Sequence, residues 1–572
     1  MKSPANPSPV RAHDRSERGR RLGLIAGAAL GACLLGVGAL ALAGAPAVKD
    51  AVTTTGVGPA GEKAPGAVGV VAGQVPAQHE QALDAPLPAK TEAGLYDAID
   101  GWWEAGRGGE WRARAEYSNE FGKLGILHDG GAVQTKGHPF FESLGANGRA
   151  CVTCHQPANG MTVSTAALEK QWQATRGKDP VFAAVDGANC PNLPQDKRES
   201  HSLLLDRGLF RVFLPWPPKA ADGTAIKPEF SIEVVRDPTG CNTDAVYGLK
   251  SDNPMVSVFR RPRVVANLKY VTNGGGLFNP KGIAMPMVVD PETGRRVGMN
   301  FMADAREPTL KAQAFDAILN HEQAKTPPTA EQLQRIVDFE MKIYSAQAVD
   351  RHGGGFNDKD GPQALGPEAM LRGRPGQLGD NLNSPVFGTF DAWKRPEGAK
   401  LDDKAAFRAS VARGSDVFFL RPFWIRDTQF ITTIGLGNPT KRTCATCHNS
   451  LMTGQDLVSG WVDLGTTNAP WANESPELPL FKITCNKDVT PHSFLGRVIF
   501  TQDPGRALIS GRCIDVGSIV MQQFRGLSAR APYFSNGSAK SLRALVDFYD
   551  RRFNIRYSEL EKTDLVNFLS TL

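Results

Sequence analysis

"RACVTCHQPANG", Arg149 to Gly160, sets two cysteines two residues apart and places a histidine directly after the second. "TCATCHNS", Thr443 to Ser450, does the same in the second half of the chain. C-x-x-C-H is the attachment signature of a c-type haem. The two thiols can add to the two vinyl groups, and the adjacent histidine then lies under the iron as its proximal ligand. A thioredoxin-like redox pair does not require the histidine, and a zinc site would need partner cysteine pairs that the sequence lacks. The motifs therefore predict two covalently bound haems c. Cys151, Cys154 and His155 would hold the first, Cys444, Cys447 and His448 the second, with His155 and His448 as iron ligands.

Around these motifs the chain has 572 residues, 41% apolar and 22% charged, enough for more than one core. Its 60 glycines and 40 prolines predict many loops. The formal charge of +6 is concentrated at the start, where residues 1–21 carry six basic and two acidic side chains. The remainder is close to neutral, and nothing argues for nucleic acid. That basic head runs into an uncharged stretch, Leu22 to Ala47, which reads as an export signal. It is also long enough to span a bilayer, so cleavage near Ala47 and retention as an inner-membrane anchor through residues 22–43 both stand. Either way the body is expected in the periplasm. Residues 48–92, rich in Ala, Gly, Pro and Val, read as a flexible linker.

The two motifs each begin a longer unit. "TAEQLQRIVDFEMKIYSAQ", Thr329 to Gln347, follows the first at helical spacing, with Thr329 and Gln332 as a capping box. "SLRALVDFY" and "LEKTDLVNFLSTL" follow the second. The expected layout is a first haem domain with insertions over 93–400 and a second over 401–572. "FSIEVVRD", Phe230 to Asp237, alternates like a strand, so the insertion should carry a small sheet. Four cysteines remain outside the motifs and the export segment. In an oxidising compartment they permit three pairings. Cys190–Cys241 and Cys485–Cys513 are favoured because each pair falls inside one expected domain.

With these segments in view, the chain resembles the bacterial di-haem cytochrome c peroxidase superfamily, which includes the MauG-type enzymes. "GLSARAPYFSNGSAKSLRALVDFYDRRF" (Gly526 to Phe553) is similar to that family's "APYFHDGS" segment and following helix, with Ser535 at the usual histidine position. "RRPRVVANL" (Arg260 to Leu268) and "MADAREPTLKAQAFDAI" (Met302 to Ile318) resemble two segments of its first domain. The resemblance implies a mainly α fold of two class I cytochrome c-like domains, the first carrying a large loop and short-strand insertion. It implies an oxidoreductase whose N-terminal haem activates peroxide or dioxygen while the C-terminal haem passes electrons. The partner would be a periplasmic electron donor or acceptor, such as a small cytochrome or a cupredoxin.

The departures sharpen the picture. Gln156 to Gln173 contains no histidine where peroxidases of this family carry a distal one, so the first iron would stay open. The family's acid/base position falls in "ILNHEQ", making His321, Glu322 and Gln323 the catalytic candidates; Gln323 lies nearest the family's glutamate but cannot exchange a proton. Its inter-haem tryptophan is replaced by Ala303, which leaves Trp172, Trp393, Trp424 or a direct haem-edge route. Met302 could instead ligate the first iron and close it, or simply fill core. Counting from Ala531, the MauG-type tyrosine ligand of the second iron corresponds to Tyr549; Met521 or His492 are the alternatives. The family's calcium asparagine corresponds to Arg260, which argues against calcium. Two other functions remain: a non-catalytic di-haem electron carrier, if Met302 ligates, and an oxygenase of an apolar substrate.

Overall fold

A hairpin opens the part of the chain described by the computed structural model, which covers residues 101–220, 222–271, 301–356, 361–362, 364–373, 389–429, 437–448 and 461–572. The expected export segment and linker lie outside these residues. Strands β1 (Arg114–Asn119) and β2 (Gly122–His128) pair antiparallel, and the Asn119 side chain closes their turn by accepting from Phe121 N and Gly122 N. Gly122 has φ +150°, and a Cβ there would stand 2.2 Å from the Val349 carbonyl oxygen, so only glycine fits. A single turn of helix, α1 (Cys151–Cys154), carries the first motif. Helix α2 (Thr165–Thr175) follows, capped by Ser164, whose hydroxyl accepts from Ala167 N.

The insertion supplies β3 (Phe210–Pro215), β4 (Phe230–Arg236) and β5 (Met255–Arg260), with β3 and β5 paired. Helix α3 (Leu310–Asn320) starts at a Thr309 cap, and α4 (Ala330–Glu340) at the expected Thr329/Gln332 capping box, with both reciprocal bonds formed. Strand β6 (Ile343–Asp350) comes next, then α5 (Asp403–Leu420), β7 (Leu480–Cys485), β8 (Val498–Thr501), α6 (Leu542–Phe553) and α7 (Glu559–Ser570). One sheet runs β1-β2-β6 with the short strand Gly354–Gly355; another runs β8-β7-β4. The strand expected at Phe230 to Asp237 is therefore present, but its partner β7 comes from the second half of the chain.

The largest core joins α5, α6 and α7 through Phe418, Val546, Phe568 and Leu569, and includes Tyr344 of β6. Helices α5 and α7 approach at Gly414, where a Cβ would stand 2.0 Å from the Asp564 carbonyl oxygen. Beside that contact the Asp564 carboxylate accepts from Ser410 and Arg413 of α5. Both disulfides pair as expected, Cys190–Cys241 and Cys485–Cys513, with Cα separations of 5.3 and 5.8 Å, within the usual range.

The mainly α class is wrong. The structure is 30% helix and 19% strand, the strands lie in several small sheets, and a pair of class I cytochrome c-like domains does not emerge. The segment Thr329 to Gln347 shows why. Its first part is α4, but at Ile343 the chain turns extended. "IYSAQAVD" offers β-branched and aromatic residues, and β2 supplies a ladder partner along its whole length. Tyr344, which continues the helical spacing on paper, is a buried strand residue. Tertiary pairing overrode local periodicity.

Candidate functional site

The C-x-x-C-H spacing acts through one turn of chain. Residues i, i+3 and i+4 share a helical face, and His155 N donates to Cys151 O at 3.1 Å to close that turn. Cys151, Cys154 and His155 therefore wall the same cavity, a partly open space of about 1410 Å³ counting the solvent at its mouth. The loop after the motif fixes the imidazole. His155 Nδ1 donates to the Met161 carbonyl at 3.1 Å, so Nε2 carries the lone pair. Burial pulls His155 down to about 4, which keeps it neutral at pH 7, as a metal ligand must be. Burial also pushes Cys154 up to about 12 and raises Cys151. Reactive redox cysteines show the opposite shift, so the thioredoxin-like reading finds no support. Among the described residues no group of three or more His, Cys, Asp or Glu side chains is placed to hold a metal ion.

Helix α3 forms a further wall. Leu310, Gln313, Ala314, Ala317 and, just past its end, His321 recur on one face, and the two alanines leave room there for a flat ligand. His321 Nδ1 donates to Asp186 Oδ2 at 2.5 Å, and Asp186 Oδ1 accepts from the fully buried Arg149. Burial alone would raise Asp186, but Arg149 and His321 hold it below its ordinary value. Arg149 is locked in turn by the Pro180 and Val181 carbonyls, both at 2.7 Å. The dyad leaves His321 Nε2 with its lone pair. The imidazole is 29% exposed, and together with Arg306 it also walls a smaller neighbouring cavity lined by Val212, Lys219 and Leu508.

The other candidates separate. Glu322 lines the first cavity, accepting from Leu144 N at 3.1 Å and from Cys151 Sγ at 3.8 Å, and burial raises it to about 8. Gln323 does not line it; its side chain accepts from Asn147 at 3.3 Å. Met302 does line it, at a backbone φ of +68°. Arg260, at the family's calcium position, forms bonds of 2.5 to 2.9 Å to Asp304 and Asp503. His201 packs on Trp172 and Phe182 with both ring nitrogens at main-chain carbonyls, away from the cavity.

The second motif repeats the turn, with Cys447 N and His448 N both donating to Cys444 O. Cys444, Cys447, His448 and Tyr549 line a second, smaller cavity, a space of about 640 Å³ counting the solvent at its mouth. Its walls are almost wholly apolar, and burial pushes Cys444 up to about 11. The Tyr549 ring lies 6.4 Å from that of His448, inclined at 77°. Burial, with Cys447 and Cys444 adding, raises the pKa of its hydroxyl. Of the three candidate sixth ligands, only Tyr549 lines this cavity. His492 is committed elsewhere: Nε2 donates to Asp463 and Nδ1 accepts from Phe494 N and Leu495 N. At both motifs two thiols and an imidazole share one cavity, almost wholly apolar at the second and edged with charged side chains at the first, an arrangement that suits a porphyrin attached through its edge.

Sequence reasoning missed Asp186 and Phe524. Asp186 is a lone loop aspartate with no motif around it. Phe524 lines the second cavity with its ring 4.6 Å from that of His448, while its neighbours Gln522 and Gln523 line the first. Trp172, Trp393 and Trp424 line neither cavity.

No family model matches the chain, and no curated protein matches it. Among solved structures, a MauG-like protein associated with microbial copper homeostasis aligns at 16% identity over 54% of this chain and 82% of its own. Its TM-score is 0.21, too low for the alignment to inform fold or site.

Proposed function

We propose that the chain is a di-haem c-type oxidoreductase that acts on peroxide or dioxygen in the first cavity and passes electrons through the second, in the periplasm. One observation carries the reading: His155, with its Nε2 lone pair, and His321, oriented by Asp186, wall the same cavity. When bound, the haem supplies the redox chemistry; the protein supplies ligation, orientation and proton transfer. Cys151 and Cys154 would anchor the porphyrin and His155 would ligate its iron. His321 would hold or deliver a proton at Nε2 within the cavity, and its partial exposure lets that proton exchange with water. Asp186 keeps the working tautomer by holding Nδ1–H, and Arg149 keeps Asp186 ionised. Glu322 is buried and engaged by Leu144 N and Cys151, so the partly exposed His321 is the better placed proton carrier of the two. Tyr549, which lines the second cavity with His448, would be the second protein ligand of an iron held there.

Haem content decides the first step. The denatured protein should carry two haems through thioethers, and Cys151→Ala/Cys154→Ala should retain one. Freely extractable haem, or none, refutes the reading. His321→Gln should slow reaction with peroxide about 10²–10⁴-fold while leaving carbon monoxide binding to the reduced protein intact.

A second reading rests on Met302, which lines the same cavity. If its sulfur ligates the first iron, the protein is an electron carrier. Carbon monoxide binding would then fail in the parent and appear in Met302→Ala.

A further inference from the structure

The first cavity is lined by more arginine than its carboxylates can balance. Arg149, Arg260 and Arg306 are paired with Asp186, Asp304, Asp316 and Asp503. Arg261 and Arg263, which also line it, bond to no carboxylate among the described residues. Arg261 donates to the carbonyls of Arg207, Val163 and Arg530, and Arg263 to those of Val520 and Met521. Those bonds hold the guanidinium planes without neutralising them. Arg261 spends three of its five N–H groups in this way and Arg263 two. A third cation, Arg530, lies close to both; it is buried, its Nε has no partner among the described residues, and it too bonds to a carbonyl, that of Gln523. Burial, reinforced by the Arg530 charge, lowers Arg261 to about 9 and Arg263 to about 10, so both remain charged at neutral pH. The remaining cavity carboxyls, Glu322 and Glu340, are raised to about 8 by burial and offer little negative charge in return. Buried cations without a counter-anion are costly.

What fixes these arginines identifies the anion. Thr162 Oγ1 donates to the Pro262 carbonyl at 2.9 Å, and Val265 N donates at 3.3 Å to Met161 O, the same carbonyl that holds His155. The segment is therefore tied by hydrogen bonds to the loop that holds His155. We infer that Arg261 and Arg263 clamp the two carboxylates of the porphyrin that His155 holds, with Arg530 behind them. This rests on the di-haem reading, and it supplies a counter-anion for the two cavity arginines that no carboxylate among the described residues pairs. A free anionic substrate offers the same carboxylate chemistry, but its site need not be tied to His155.

The clamp makes Arg263→Gln change sign with haem. In the full chain carrying both haems, the variant should unfold at lower urea concentration than the parent, and the midpoint potential of the first haem should fall while that of the second stays. In the Cys151→Ala/Cys154→Ala chain, which lacks the first haem, Arg263→Gln should leave the urea midpoint unchanged or raise it, because it removes an uncompensated cation. Arg261→Gln should follow the same pattern, and Arg263→Gln alone suffices if that deeper variant fails to fold. Succinate serves as the probe for a free carboxylate: it should raise the urea midpoint only of the chain lacking the first haem. The clamp is overturned by equal effects of Arg263→Gln in both backgrounds, by an unmoved first potential, or by succinate stabilising the fully loaded protein. A parent without the first thioether haem overturns the clamp and the di-haem reading together; a parent with both haems and an indifferent Arg263→Gln overturns the clamp alone.

Discussion

Replacing Asp186 with asparagine removes one charge from the wall of the first cavity and almost nothing else. Asp186 and Arg149 side chains are each 1% exposed, so their pairing occurs out of water. Asparagine keeps a carbonyl oxygen for His321 Nδ1–H but leaves Arg149 without the carboxylate it faces. Breaking one partner of a buried pair costs about 3–5 kcal/mol. Arg149 retains the Pro180 and Val181 carbonyls at 2.7 Å, which places the loss near 3 kcal/mol, roughly a hundredfold in the folding equilibrium. Urea unfolding at pH 7, followed by tryptophan fluorescence, should show a lower midpoint at an unchanged slope. The Arg149→Met/Asp186→Leu double variant should lose less than Asp186→Asn, because no charge is orphaned. The pH dependence has a definite sign. Asp186 is held below its ordinary 3.8, so its contribution is complete above that value and disappears as pH falls through the lowered one. The gap between parent and Asp186→Asn should therefore close in acid. A single variant within about 0.5 kcal/mol of the parent, or a double variant costing the sum of the singles, refutes the argument.

Tyr549→Phe should alter the low-spin spectrum of the second haem and leave carbon monoxide binding at the first untouched; an unaltered spectrum rules out the ligation. Gly414→Ala should cost about 3 kcal/mol or more in urea unfolding, because its methyl meets Asp564 backbone rather than a side chain that can turn aside; a neutral result contradicts the close approach of α5 and α7. Asp304, which burial would raise, is held down to about 2 by Arg306 and Arg260, so it contributes on the order of 2 kcal/mol above pH 3.8 that is lost toward pH 2. Asp304→Asn should remove that part of the acid limb in a pH series of unfolding midpoints, and an unchanged limb refutes it.

The local parts of this molecule were readable because their physics is local. Cys151, Cys154 and His155 share a face by spacing alone, and the Thr329/Gln332 box closes within four residues. The disulfides followed from proximity in the chain. What failed depended on partners far away. Nothing around Ile343 reveals that β2 will pair with it, so helical spacing carried the reading one element too far and helped make the fold look mainly α. Strand β4 was legible as a strand, but β7, nearly two hundred and fifty residues later, was not legible as its neighbour. His321 was found through its segment, whereas Asp186, which orients it, lies 135 positions earlier in an unremarkable loop. Arg261 and Arg263 were quoted within a family-like segment, yet their lack of carboxylate partners appears only once the surrounding chain is in place.

Gln523 and Phe524 are consecutive, yet one faces the first cavity and the other the second. Their Cα atoms are about 3.8 Å apart, so a single peptide unit is the partition between the two chambers. Gln523 is moored on its own side: its side chain donates to Ala266 O and accepts from Asn267, and its carbonyl accepts from Arg530. Phe524 rests against His448. Where a displacement of this shared segment on one side alters binding on the other, the free energy passed between the two is the same in both directions. Any ligand that tightens when His448 changes its bonding must, on binding, shift His448 by an equal amount. Titrating the first site with carbon monoxide while recording the potential of the second measures that number directly.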